Sequence, residues 1–122
     1  MIYSAGDLVE ASYSDIKGGK STSIFVVLYN EALDAETKHN RNITVLKVTT
    51  KVRGSDCYSY TLNPKHYNLP KLSMVKANKV NTIDVSNIFR HHGTLSDRDW
   101  YLVKERYNQY QKEVARQATI KL

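Results

Sequence analysis

Cysteine is nearly absent from this chain of 122 residues, with Cys57 as its single example. One cysteine excludes an intrachain disulfide, and the sequence has no CxxC, HxxxH or HExxH spacing that would offer the ligands of a metal site. We therefore expect a cytoplasmic protein that uses no metal and no cofactor.

Long apolar stretches are lacking as well. The longest run, residues 24–29, is far shorter than the about 20 residues that cross a membrane. Asp7 and Glu10 stand where a secretory signal would need a basic start and an apolar core. The sequence thus predicts no membrane association. Because prolines and glycines are few, we expect one folded domain over residues 1–122.

The positive charges are concentrated in the second half of the chain. Residues 1–60 contain seven Lys/Arg and seven Asp/Glu, whereas residues 61–122 contain eleven and five, so the whole excess of +6 lies there. A one-sided basic excess is typical of a surface that binds phosphate groups, and nucleic acid is the predicted partner; a merely solvated basic edge is the alternative. The densest basic stretch before the predicted helix contains Lys71, Lys76, Lys79 and Arg90.

Short segments rich in β-branched and aromatic residues occupy residues 7–84 and predict a mainly β fold. Residues 24–29 are apolar on both faces, which favours a central strand. Residues 43–50 alternate between apolar and polar side chains, which predicts a half-buried strand. The predicted strands cover residues 7–13, 24–29, 43–50, 57–62, 73–77 and 79–84, and the predicted loops cover residues 14–22, 31–42 and 63–70.

After Ser96 the hydrophobic period changes to that of a helix. Ser96 fits the N-cap, and Asp97 and Asp99 in the first turn complement the helix dipole. The pattern predicts an amphipathic helix whose apolar stripe packs in the core or at a dimer contact. Many short strands followed by one helix favour a compact barrel or a curled sheet. The stripe consists of Trp100, Val103, Tyr107, Tyr110 and Val114.

Motifs along nearly the whole chain match one protein family in order and spacing. They are Gly6-Asp7, residues 20–30, Thr49, Asn68-Leu69-Pro70, Thr82-Ile83-Asp84 and Gly93-Thr94-Leu95-Ser96. In this set the sequence resembles the PemK/MazF toxins. The resemblance implies an SH3-like curled β-barrel with a C-terminal amphipathic helix, usually a homodimer, that cleaves single-stranded RNA with the neighbouring 2′-hydroxyl as nucleophile. It also implies an antitoxin or another protein as a partner.

The same resemblance assigns candidate site residues. Thr49 matches a threonine that lies beside the scissile phosphate, and Lys47 shares a face of its strand. Lys20 precedes the position of a family arginine by three residues and would supply a point charge there. A strand-end threonine and a solvated turn lysine are the alternative interpretations. The predicted catalytic residues are Thr49, Lys20 and Asn78, and the predicted nucleic-acid-binding residues are Lys47, Lys76, Lys79 and Asn81.

Several charged residues of the family are replaced in this chain. Ser23 stands in place of an arginine, and Asn78 and Asn81 stand in place of an aspartate and an arginine. An amide does not accept a proton at neutral pH, so two main hypotheses follow. One is a toxin or its weakened descendant; the other is an inactive module that binds nucleic acid or a protein as a regulator or inhibitor, for example in a mobile element. A purely structural subunit is a third.

Two further groups of side chains invite a functional interpretation. His91 and His92 would suit acid–base chemistry, but they match variable positions of the family and are interpreted as turn or surface residues. Tyr58, Tyr60 and Tyr67 would suit stacking on unpaired bases, but half-buried sheet aromatics are the commoner case.

Overall fold

The chain folds into an antiparallel sheet of six strands and one long helix. The computed structural model describes residues 3–14, 17–30, 41–50 and 56–120. The strands are β1 (Asp7–Ser14), β2 (Lys20–Asn30), β3 (Asn42–Thr49), β4 (Ser59–Leu62), β5 (Ser73–Asp84) and β6 (Ile88–Thr94); a 3-10 turn (Val85–Asn87) joins the last two, and the helix is α1 (Asp97–Ile120). No helix in the described ranges is long and apolar enough to cross a membrane.

The sheet is curled, because two strands at distant places in it are joined by a very short connection. The strand order is β4-β5-β3-β2-β1-β6, so four strand spacings separate β5 from β6. In a flat sheet those spacings of about 4.8 Å would add to roughly 19 Å. A 3-10 turn rises only about 2 Å per residue, so the three residues 85–87 cannot span that distance. Among the described residues β4 and β6 are the edges, and the expected barrel takes the form of an open, curled sheet.

Strand β2 is central and buried on both faces, as predicted. Val26 and Leu28 pack in one apolar cluster, while Phe25 and Val27 pack in a second cluster on the other face. Each fully buried side chain of this size contributes about 1.5–3 kcal/mol. The first cluster also contains Leu8, Leu46, Val75 and Val103 of the helix, and the second contains Val9, Ile43, Val45 and Ile83.

The C-terminal helix begins where the sequence predicted. The Oγ of Ser96 accepts a hydrogen bond from the Asp99 N–H at 3.2 Å, as an N-cap does. Val103 is fully buried in the first cluster, and Trp100 and Tyr107 pack against its edge. The predicted stripe therefore contacts the core through its first half, whereas Val114 in the second half is 43% exposed.

Four expectations about the strands were wrong in detail. Two strands were predicted within residues 73–84, but β5 is one continuous strand. Its pairing with β3 shifts in register between Leu46 and Lys47, and this shift does not interrupt β5. Strand β3 is buried on both faces in its first half rather than half-buried throughout. Strand β2 begins at Lys20, inside a predicted loop, and β4 begins at Ser59 rather than at residue 57. Residues 31–40 of another predicted loop lie outside the described residues.

Strand β6 was absent from the prediction. Its sequence, Ile-Phe-Arg-His-His-Gly-Thr, has no apolar alternation after its first two residues, so no periodicity reveals it. The strand exists through its pairing with β1, and two register shifts interrupt that pairing. His91 and His92 therefore lie in a sheet strand rather than in a turn.

Two of the motifs that carry the resemblance meet at the junction of β1, β6 and α1. The Thr94 hydroxyl donates to the Asp7 carboxylate at 2.7 Å, and the Leu95 N–H donates to the Gly6 carbonyl at 2.9 Å. Gly6 has a φ of +89°, and a Cβ there would lie 3.5 Å from the Trp100 ring. The Gly-Asp and Gly-x-Leu-Ser motifs therefore hold the two ends of the fold together.

Candidate functional site

Six of the seven predicted site residues line a single cleft on β3 and β5, which we call the basic cleft. Lys47 and Thr49 come from the C-terminal end of β3. The other residues come from the part of β5 in which the pairing with β3 shifts in register. The exception is Lys20 at the start of β2. It pairs with Ser14 of β1, whereas the pairing of β2 with β3 begins only at Ile24. The basic cleft is lined by Lys47, Thr49, Lys76, Asn78, Lys79, Val80 and Asn81.

Lysine charges are packed closely in the basic cleft. Lys47 and Lys76 are direct partners across β3 and β5, and like charges in that position repel each other. Asp56 offsets this repulsion, because its Oδ2 lies 3.5 Å from the Lys76 ammonium, which also donates to the Ser59 hydroxyl at 3.1 Å. The charge of Lys76 is thus partly neutralised from within the chain.

The same aspartate holds the side chain of Asn78. The Nδ2 of Asn78 donates to Asp56 Oδ2 at 3.4 Å, whereas its Oδ1 is buried without a hydrogen-bond partner in the described structure. A buried polar atom left unpaired costs about 1–3 kcal/mol. The pKa of Asp56 is lowered; desolvation opposes this shift, but the hydrogen bonds from Tyr58 and Ser59 and the charge of Lys76 outweigh it.

Next to the basic cleft is an aromatic hollow that shares Lys47 and Asn81 with it. The Lys47 ammonium lies 5.5 Å from the centre of the Tyr13 ring, and Tyr13 meets Phe25 edge to face at 6.0 Å. A cation, two rings and several amide and hydroxyl groups in one hollow suit a planar, polar ligand. The hollow is also lined by Ser12, Ser14, Thr82, Ile83, Asp84 and Asn87.

Thr49 and Ser23 face a third hollow, near the start of β2 and the end of β3. Ser23 is the position at which the sequence predicted a missing arginine, so the structure brings that position and Thr49 together. Glu10 of β1 reaches the same hollow. Lys20 is exposed and is not part of its lining.

A cluster on β1 and β6 contains His91 and His92, which the sequence suggested for acid–base chemistry but which were interpreted as turn or surface residues. The His92 Nε2 lies 2.9 Å from Glu10 Oε1, and the Arg90 Nη1 lies 3.9 Å from the same oxygen. One residue away, His91 Nε2 lies 3.5 Å from Asp7 Oδ2. What we call the histidine cleft is lined by Glu10, Arg90, His91 and His92, together with Ile24, Asn68, Leu69 and Pro70.

Besides the two adjacent histidines, the sequence signal for this cluster was Glu10, a carboxylate in an apolar strand. Glu10 stands between Val9 and Ala11, both fully buried, so a partner for its charge was to be expected. The partner was not identifiable because it lies on β6, 82 residues away along the chain.

The three tyrosines considered for base stacking are engaged elsewhere. The hydroxyl of Tyr60 donates to Asp99 Oδ1 at 2.5 Å, and the hydroxyl of Tyr67 donates to Asp99 Oδ2. Tyr58 packs edge to face on Tyr110 with 5.5 Å between ring centres. Burial, together with the hydrogen bond to Asp99, raises the pKa of Tyr60 to about 12. These residues fix α1 on the sheet, in line with the half-buried interpretation.

The model of one protein family, described as PemK-like, MazF-like toxin of type II toxin-antitoxin system, matches residues 4–110. The chain belongs to this toxin family. A search of curated protein sequences finds no match for this PemK/MazF-like chain. The predicted family is confirmed, whereas the assignment of individual site residues stays a prediction.

Solved structures of MazF proteins share the fold of this PemK/MazF-like chain. A MazE–MazF structure from Deinococcus radiodurans matches with a TM-score of 0.72 at 17% identity, over 92% of this chain and 98% of that one. The Mycobacterium tuberculosis toxin MazF-mt6 matches with a TM-score of 0.69 at 21% identity, over 87% and 96%. An endoribonuclease in complex with its cognate antitoxin from a mycobacterial species gives 0.68 at 14%, over 91% and 96%. At these identities the likeness shows the fold alone.

Proposed function

We propose that this chain is a single-domain, cytoplasmic toxin that cleaves single-stranded RNA as a homodimer and is held in check by an antitoxin protein. The observation that carries the proposal is the basic cleft, where three lysines, a threonine and two asparagines meet. Cationic and hydrogen-bonding groups in one groove are what a phosphodiester backbone requires. Membership of the toxin family and the antitoxin complexes of its structural relatives support the same proposal.

Each group in the basic cleft has a distinct role in this proposal. Lys47, Lys76 and Lys79 neutralise backbone phosphates as point charges, and Asn81 donates a hydrogen bond to the strand. Thr49 and Asn78 donate hydrogen bonds to the scissile phosphate, where negative charge grows in the transition state. Lys20 adds a charge from the start of β2.

The aromatic hollow gives the proposed site a place for a base. Tyr13 offers its ring, which the buried Phe25 supports edge to face, while Asn81 and Asp84 offer hydrogen-bonding groups to the rim of a base. Since Lys47 borders both the hollow and the basic cleft, a nucleotide would place its phosphate in the cleft and its base in the hollow.

The proposal is tested by incubating the purified full chain with a mixed RNA pool and mapping the ends of the products. We expect discrete cuts that leave 2′,3′-cyclic phosphate and 5′-hydroxyl ends. Thr49→Ala should lower the rate at least tenfold, and the matched control Thr61→Ala, an exposed strand threonine outside the clefts, should not. An intact RNA pool at high protein concentration, or equal rates for Thr49→Ala and the wild type, would overturn the proposal.

A second candidate function is a binding module without catalysis. It is favoured by the uncharged side chains of Ser23, Asn78 and Asn81 and by the partial neutralisation of Lys76 by Asp56. Salt-sensitive binding of RNA or DNA without any cut would support it. A role confined to protein partners would show neither binding nor cutting, and a neighbouring frame for a small acidic antitoxin would favour the toxin.

A further inference from the structure

One step of the proposed RNA cleavage has no residue assigned to it. Cleavage through the 2′-hydroxyl needs a group that takes up its proton, and neither Thr49, Asn78 nor a protonated lysine does so at neutral pH. The structure holds an unused pair of the required chemistry in the histidine cleft, which is built by Glu10 and His92.

The hydrogen bond between Glu10 and His92 fixes the imidazole ring. An ionised carboxylate only accepts hydrogen bonds, so the His92 Nε2 donates to Glu10 Oε1 across the 2.9 Å between them. The other ring nitrogen, Nδ1, is then the acceptor of the neutral imidazole. The His92 side chain is only 9% exposed, so packing as well as the hydrogen bond limits its movement.

Glu10 connects the histidine cleft with the hollow that contains Thr49. Both Glu10 and Ile24 line the histidine cleft and also the hollow of Ser23 and Thr49. Glu10 pairs with Ile24, which pairs in turn with Val48, and Thr49 follows Val48 at the end of β3 with its side chain on the opposite face of the sheet. The two clefts therefore adjoin through the side chains of Glu10 and Ile24, and Glu10 is where an RNA strand in the hollow would meet the histidine cleft.

The charges around His92 suit a phosphodiester. Arg90 on β6 lines the cleft with a guanidinium that is 64% exposed and so remains open to an anion, although it also contacts Glu10 at 3.9 Å. The Asp7–His91 pair lies nearby, with His91 one residue before His92 on β6 and Asp7 three residues before Glu10 on β1. Ile24 of β2 and residues 68–70 bring no charge to the cleft.

We propose that His92 is the general base of RNA cleavage by this chain, that Glu10 positions it, and that Arg90 binds the reacting phosphate in place of the arginine missing at Ser23. This inference rests on the proposed function. His92 Nδ1 takes the proton of the 2′-hydroxyl while the 2′ oxygen bonds to phosphorus. The bond from phosphorus to the 5′ oxygen breaks, and that oxygen takes a proton from water. The hydroxide left from that water takes the proton of the imidazolium, which restores neutral His92.

The test compares His92→Gln with His66→Gln, a control in an exposed turn outside the clefts. The substrate is an RNA oligonucleotide that contains a site cut by the wild type, and the rate is measured in single turnover across pH. We expect His92→Gln to lose at least about a hundredfold in rate with unchanged RNA affinity, and added imidazole to restore part of it. The wild-type rate should fall toward acid pH as the acceptor nitrogen is protonated, and this fall should be missing in His92→Gln.

A second variant keeps the inference testable if His92→Gln fails to fold. Glu10→Gln retains His92 but removes the carboxylate that fixes its ring, so its rate in single turnover should fall about tenfold with unchanged RNA affinity, and Glu10→Asp should recover part of the loss. Wild-type rates in Glu10→Gln or in His92→Gln overturn the inference while the proposed function stands. A wild type that leaves RNA intact overturns both.

Discussion

The basic cleft and the histidine cleft hold their ionisable groups in different ways. In the basic cleft the contacts of Asp56 with Lys76 and Asn78 are 3.4–3.5 Å long. In the histidine cleft a 2.9 Å hydrogen bond fixes a ring that is almost completely enclosed. A cation attracts a phosphate without exact placement, whereas proton transfer requires a nitrogen in a defined position. In the proposed reaction the lysines of the basic cleft hold the RNA, Thr49 and Asn78 contact the scissile phosphate, and His92 transfers the proton.

The largest expected effect is a loss of stability on replacing Asp99, which lies outside both clefts. It shows what to expect of a residue with a purely structural role. Asp99→Ala removes the acceptor of Tyr60 and Tyr67, and hydrogen bonds to a charged group contribute about 1.5–3 kcal/mol each. We expect the free energy of unfolding in urea to fall by about 3 kcal/mol, while the folded fraction cleaves RNA normally. Asp97→Ala, the matched first-turn control, should cost less than about 1 kcal/mol. Equal stability of the two variants would contradict this role.

A smaller effect is expected from pH on the same cluster. The pKa of Asp99 is lowered; burial opposes this, but hydrogen bonds from Tyr60 and Tyr67 outweigh it. Asp99 therefore contributes its full stabilisation at pH values above the ordinary pKa of a carboxyl group. This contribution to the free energy of unfolding is lost as the pH falls through the lowered pKa of Asp99. Tyr60, whose pKa is raised to about 12, contributes below about pH 10 and loses its contribution between about 10 and 12. Urea melts across pH should show both losses in the wild type. The alkaline loss should be smaller in Tyr60→Phe but not absent, because burial and the hydrogen bond to Asp99 also raise the pKa of Tyr67.

The next effect separates binding from reaction. Lys47→Ala should weaken RNA binding several-fold and reduce the slope of log affinity against log salt by about 0.7, the value for one phosphate contact on a single strand. The rate at saturating RNA should change less than in His92→Gln. Filter binding at several salt concentrations measures the slope, with Lys65→Ala, an exposed turn lysine, as the control. A larger loss of saturated rate in Lys47→Ala than in His92→Gln would reverse the roles of the two clefts.

The smallest effect concerns the stability contributed by Asn78. Asn78→Ala removes a 3.4 Å hydrogen bond to Asp56 and also removes the buried carbonyl that has no partner in the described structure. The two changes offset each other, so the free energy of unfolding should stay within about 0.5 kcal/mol of the wild type. The cleavage rate should nevertheless fall, because the amide donor is lost. A large loss of stability would show that the side chain is structural.

The sequence was sufficient where a local pattern determines the structure. The apolar run of β2 revealed a central strand, and Ser96 followed by Asp97 and Asp99 revealed the start of α1. Six of the site residues that were predicted from the family resemblance line one cleft. Strand β6 and the Glu10–His92 pair were beyond reach, because a pairing across 82 residues with shifted register leaves no periodic signal in either segment.

The contact between Gly6-Asp7 and Thr94-Leu95 has a consequence for synthesis of the chain on the ribosome. Strand β1 is made early and pairs with β2, but its second neighbour, β6, ends only at Thr94. Until then one edge of β1 carries unpaired backbone groups, which invite pairing with other chains. We therefore expect the nascent chain to be most prone to misassociation just before residues 88–94 emerge, and translation that stalls ahead of them should yield aggregates rather than a folded domain.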